Sequence, residues 1–363
     1  MRAMIALLLV VFSPFVVTAA DPTIGDTVFL RDGVNGKIGN TVVDRQFLSF
    51  PAIVGDVNGE WLWLDRAWVR KGDVMFTQEA LDYFTEYVRQ RPTDANGWAG
   101  RGSVWSAMGQ FDKAIKDYTE SIRLNPSNPF IFNCRGNAWN SKGDLDNAIK
   151  DFTEGIRLNP QLAGTYLNRA MSSWSKGDVD AAIRDCTDSI RLDPQSAMAY
   201  NNRAALWKDK RDIDRALKDY TEAIRLNQKF ALAYRNRAAI WQQKGEFENA
   251  ITDYTISIRL EPMTSYGYRG IAWLKATCPD DRYRDGTQAV EYAKKACKLT
   301  SGWEFWNTLS TLAAAYAETG DFTHAIELQK KAVESAPESE KKAFSERLAL
   351  YQENKPYRET LRK

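Results

Sequence analysis

The chain has 363 residues, 44% hydrophobic and 26% charged, with 49 Lys+Arg against 47 Asp+Glu. That composition excludes the disordered, collagenous and membrane-embedded classes, and a formal charge of +2 supplies no field to attract nucleic acid or an anionic membrane. With His324 as the single histidine, imidazole-based triads and metal sites lack their usual residue. The sequence therefore predicts no enzyme, no catalytic residue, no metal site and no cofactor.

Residues 1–20 read as a signal peptide: Arg2, an apolar run from Ile5 to Val17, then Thr18-Ala19-Ala20 as a small-residue cleavage site. The run is shorter than the ~20 residues of a spanning helix, so no stable membrane insertion is expected. Asp21 follows where a lipoprotein would need Cys. The expected product is exported, to the periplasm or the extracellular space.

Residues 21–76 carry short β-rich runs (Thr27 to Leu30, Thr41 to Val43, Ala52 to Val54) split by Gly and Asn turns. Gly59-Glu60-Trp61-Leu62-Trp63, Ala67-Trp68-Val69 and Asp73-Val74 resemble the bacterial Src-homology-three-like domain, which implies a small β-barrel. Residues 77–94 follow as an orphan repeat helix, with Ala80, Phe84, Tyr87 and Pro92 in the register of what comes next.

From Ala95 five units of 34 residues run without a gap: 95–128, 129–162, 163–196, 197–230 and 231–264. Position 8 is small (Gly102, Gly136, Ala170, Ala204, Ala238) and position 20 is Ala in all five, so two antiparallel helices can approach closely. Position 15 is Gly in four units, where a helix ends in a left-handed residue, and Arg211 is the exception. Position 32 is Pro in four units and stops the second helix, with Gln228 departing.

This pattern resembles the tetratricopeptide repeat, which implies a mainly α fold: a right-handed α-solenoid superhelix of helical hairpins, here preceded by the small barrel. An irregular sixth unit, 265–305, carries extra residues around Pro279 to Gly286, and a seventh, 306–339, completes seven hairpins over 95–339. Residues 340–363 read as a capping helix and tail. The wording of the last two units, such as Ala276-Thr277-Cys278-Pro279-Asp280, is similar to exported repeat proteins of planctomycete type.

Position 7 is Arg and position 23 is Asp in the five regular units, and both are lost together in the sixth (Ile271, Tyr292) and seventh (Leu312, Leu328). Matched loss predicts a charge-assisted pair across each hairpin seam. Cys278 and Cys297 lie at levels roughly 15 Å apart on antiparallel helices, beyond the about 7 Å of Cα separation that a disulfide spans. Four unbridged cysteines are expected.

In tetratricopeptide repeats the first helices line a concave groove, chiefly at positions 2, 5, 9, 12 and 13. The resemblance thus implies a peptide-binding groove of Asn133, Asn137 and Asn140, then Leu167, Met171 and Trp174, then Asn201 and Lys208, then Arg235 and Gln242. Trp occupies position 11 in the other regular units, but in the third it slips to position 12 as Trp174, about 100° around the helix and toward the groove. The expected function is a non-enzymatic scaffold holding a peptide or protein partner. The alternative is an envelope-binding module, in which the barrel engages cell-wall peptide through Trp61, Trp63 or Trp68 and the solenoid is a spacer.

Overall fold

The computed structural model describes residues 27–30, 36–38, 41–43, 52–58, 61–64, 67–70, 74–75, 77–300 and 305–360. The signal-peptide reading of residues 1–20 lies outside them. The chain divides into two compact units, residues 1–192 and 193–363.

The first unit opens with seven strands: β1 (Thr27–Leu30), β2 (Gly36–Ile38), β3 (Thr41–Val43), β4 (Ala52–Asn58), β5 (Trp61–Leu64), β6 (Ala67–Arg70) and β7 (Val74–Met75). They form one antiparallel sheet in the order β3-β2-β6-β5-β4-β1-β7. Register shifts between Val54 and Asp56, the mark of a bulge. Phe29 and Met75 are fully buried. The small barrel expected over 21–76 is not supported beyond this sheet: among the described strands β3 and β7 are its two edges and do not pair with each other.

Helices follow. α1 (Thr77–Gln90) precedes the hairpins α2/α3 (Ala95–Ala107, Phe111–Leu124), α4/α5 (Pro129–Ser141, Leu145–Leu158) and α6/α7 (Ala163–Ser175, Val179–Leu192). Each first helix of about 13 residues would be marginal alone and is stabilised by tertiary packing. Position 8 shows why it must be small. A Cβ on Gly136 would come within 2.7 Å of the Phe152 ring of the returning helix. Ala99, Ala114, Ile115, Tyr118, Ile131 and Ala138 form a core, with Trp105 and Trp139 packed against it. The turns use the left-handed region at Gly109, Gly143 and Gly177.

The second unit holds α8/α9 (Ala197–Asp209, Ile213–Leu226), α10/α11 (Ala231–Lys244, Phe247–Leu260), α12/α13 (Ser265–Thr277, Gly286–Leu299), α14/α15 (Phe305–Glu318, Phe322–Ser335) and α16 (Glu338–Gln352). At the turn after α8, Arg211 takes the left-handed conformation that Gly adopts elsewhere, at φ 62°. The extra residues of the α12/α13 connection form one turn of 3-10 helix, Asp281–Tyr283. Arg284 fastens that connection, donating to the Cys278 and Pro279 carbonyls and to Glu318. Ala313, Ala314, Ala315 and Ala317 of α14 pack with Ala289 and Ala293 of α13. Phe344 and Tyr351 bury the inner face of α16.

Cys134, Cys186, Cys278 and Cys297 are unbridged. Burial pushes the Cys134 thiol up to about 11, so it behaves as an inert packing group.

Candidate functional site

The seam pairs are present in all five regular hairpins. Arg101–Asp117, Arg135–Asp151, Arg169–Asp185, Arg203–Asp219 and Arg237–Asp253 are each bidentate, Nε and Nη2 donating to the two carboxylate oxygens at 2.6–2.9 Å. The other guanidine nitrogen of Arg135, Arg169 and Arg237 donates to Thr119, Thr153 and Thr221 of the preceding hairpin. Each Arg also lies over the aromatic ring at position 4 of its own unit. Held by a carboxylate across the seam and a ring of its own unit, this cation is structural.

Several of the sequence-predicted groove amides are likewise engaged between repeats. Asn168 donates to Asn133 at 3.0 Å, Ser172 donates to Asn140 at 3.2 Å, and Asn236 donates to Asn201 at 3.2 Å. In two of these pairs position 6 of one first helix meets position 5 of the one before, and in the third position 10 meets position 12. Asn201 is buried; Asn137 and Lys208 are exposed; Leu167, Met171 and Trp174 on α6 are half-buried.

In the second unit Arg235 and Gln242 come together at a cavity of about 570 Å³. Its walls are three successive first helices: α10 gives Arg235, Ala239 and Gln242, α12 gives Tyr266, Arg269 and Trp273, and α14 gives Asn307 and Thr311. Arg347 of α16 closes one side. The guanidinium carbons of Arg235 and Arg269 stand 4.3 Å and 5.3 Å from the centre of the Tyr266 ring. Burial lowers the pKa of Arg235, with the charge of Arg269 acting in the same direction, and burial likewise lowers that of Arg347.

The chain's own segment after α16 enters this cavity. Asn354 turns the chain in the left-handed region, and residues 355–360 run on without regular structure. Tyr357 meets Trp273 at a ring separation of 5.7 Å, with Arg347 over both rings. Arg358 pairs with Glu318 at 2.6 Å. The Glu359 amide donates to the Thr277 carbonyl at 2.8 Å. Its carboxylate accepts from Gln242 at 2.5 Å, and Gln242 in turn accepts from the Tyr254 hydroxyl at 3.3 Å.

Sequence reasoning missed Tyr266, Arg269 and Trp273, although they fall at positions 2, 5 and 9 of the unit starting at 265. The positional rule that gives Arg235 and Gln242 finds them once it is carried past the irregular insertion. Arg347 and residues 355–360 lie outside any repeat, and no periodic signal marks them. Among the described residues no group of three or more His, Cys, Asp or Glu side chains could hold a metal ion, and no helix is long and apolar enough to cross a membrane.

Comparison with known proteins agrees with the hairpin geometry. Family models described as tetratricopeptide repeat match residues 95–128, 135–162, 163–196, 208–262 and 307–336, and the chain carries tetratricopeptide repeats at those positions. Among solved structures, a tetratricopeptide repeat protein from Parabacteroides merdae is 16% identical, with a TM-score of 0.54 over 76% of this chain and 99% of that one. Yeast Tom70 is 19% identical, at 0.53 over 76% of this chain and 58% of that one. The APC/C hetero-tetramer Cut9-Hcn1 is 17% identical, at 0.53 over 76% and 52%. At these identities the likeness shows the fold alone. No curated protein matches the chain.

Proposed function

We propose that this protein is an exported, non-enzymatic scaffold whose tetratricopeptide repeats hold an extended segment of a partner protein against their first helices. The observation that carries the reading is the cavity of α10, α12 and α14, which already holds an irregular segment through side chains at groove positions. A preformed concave wall lowers the ordering cost of binding on the scaffold's side, and aromatic and arginine side chains are the usual anchors of such contacts. In the first unit Leu167, Met171 and Trp174, flanked by Asn137, are proposed as a second, more apolar stretch of groove. Export rests on the signal-like residues 1–20, and the sheet of 27–75 is proposed as a small barrel of the Src-homology-three-like kind.

Display selection of random peptides against the full chain tests the reading. The expected outcome is enrichment of segments whose binding weakens with Arg235→Gln or with Trp174→Ala. Selection that enriches nothing, or segments indifferent to both substitutions, would overturn it.

A further inference from the structure

We propose that the cavity of α10, α12 and α14 binds a partner segment in which an aromatic residue is followed two residues later by a carboxylate, and that Tyr357-Arg358-Glu359 of this chain is its resident competitor. The proposal rests on the scaffold reading and specifies its ligand.

The spacing follows from the backbone. In an extended segment alternate side chains face the same way, and here Glu359 lines the cavity and Tyr357 meets Trp273 and Arg347 of its wall, while Arg358 between them turns to Glu318. The cavity and the end of α12 beside it supply a partner for each part: Trp273 and Arg347 for the ring, Gln242 for the carboxylate, and the Thr277 carbonyl for the backbone amide. A small free anion would leave the aromatic platform and the backbone acceptor unused. A peptide uses all three.

Charge points the same way. Arg235, Arg269 and Arg347 line the cavity against one lining carboxylate, Glu359. Three half-buried guanidiniums favour further negative charge, and about 570 Å³ remains open with Glu359 and Thr360 in place. The resident segment is held chiefly through its side chains. Among residues 355–360, Glu359 is the one whose backbone hydrogen-bonds to a repeat helix, and Lys355 and Thr360 are exposed. Tethering adds to this, since a short connection presents the segment at an effective concentration on the order of millimolar. A segment of the same pattern supplied by another protein must displace it.

The test uses a fluorescein-labelled, end-blocked hexapeptide with the sequence of residues 355–360, read by anisotropy against two forms of the full chain. One is unaltered; the other carries Tyr357→Ala with Glu359→Ala, which unloads the cavity. The unloaded chain should bind at least ~10-fold tighter than the unaltered one, as removal of a tethered competitor requires. Replacing the peptide's Glu by Gln, or adding Arg235→Gln to the unloaded chain, should each weaken binding by about 10-fold. Equal binding to both forms, or no binding to an unloaded chain that melts like the unaltered one, would overturn the proposal and make the segment a permanent strap. Should the unloaded chain fail to fold, hydrogen exchange of the Glu359 amide in the unaltered chain decides: faster exchange with excess peptide supports displacement, and unchanged protection contradicts it. Concentration-dependent dimerisation of the unaltered chain, abolished by Glu359→Ala, would give the site to a second copy and also overturn it. Peptides enriched by display that depend on Trp174 but ignore Arg235 would leave the scaffold reading standing while this one falls.

Discussion

The hairpins of 95–264 and those of 265–339 close the same seam with different chemistry. In the first five, a bidentate Arg–Asp pair joins the two helices, and at least three of the arginines reach on to a threonine of the preceding hairpin. In the last two, the equivalent places are apolar: Ile271 packs with Tyr292, and Leu312 with Leu328. The same chain tolerates both solutions, so the ion pair serves the geometry of the repeat and not a ligand. The sixth hairpin differs in another respect. Its groove side carries Tyr266, Arg269 and Trp273 and meets the segment after α16. The segment's contacts lie at and just beyond the end of the regular pattern.

The largest effect tests the slip of one tryptophan. Trp139 packs against the buried cluster of the first unit, so Trp139→Ala should cost roughly 3–5 kcal/mol in a denaturant melt. Trp174→Ala should cost under about 1 kcal/mol while weakening partner binding; equal losses of stability would make Trp174 a core residue. A smaller effect belongs to the seam. Asp185→Asn removes the charge from a partly buried bidentate pair and should cost about 2–3 kcal/mol, against about 0.5 kcal/mol or less for Glu340→Gln. If the two melt alike, the pair contributes nothing.

Smaller still is the predicted effect of copying the seventh hairpin into the third. The double change Arg169→Leu with Asp185→Leu should lie within about 1 kcal/mol of the parent, because an apolar pair of similar volume replaces a desolvated ion pair at little cost. A loss as large as that of Asp185→Asn would mean the two seams are not equivalent. Least of all, Arg211→Gly should stabilise by about 0.5 kcal/mol, relief of left-handed strain being offset in part by the greater freedom of glycine in the unfolded chain. A lower midpoint would contradict that account.

How much of this was legible in the sequence varies by element. The hairpins and their seams were readable because a 34-residue period repeats the same steric and charge requirements, and because Arg and Asp vanish together at Ile271 and Tyr292. Asn133 and Asn140 fell on groove positions, yet position alone does not reveal that Asn168 and Ser172 engage them. The cavity's other wall was hidden by the insertion before α13, which breaks the period although the first helix of that unit keeps its register. The segment 355–360 was illegible: its partners, Gln242 and Thr277, lie far back in the chain, and no local pattern encodes a contact over such a separation.

The central claim is that partners lie on the first helices. Photo-cross-linking tests it most directly, with benzoylphenylalanine introduced at position 239 on α10, inside the cavity, or at position 255 on α11, an exposed residue of a second helix. With a display-selected segment bound, the account predicts a covalent adduct from 239 and none from 255. Adducts from 255 alone would place the partner on the other helix layer and contradict it.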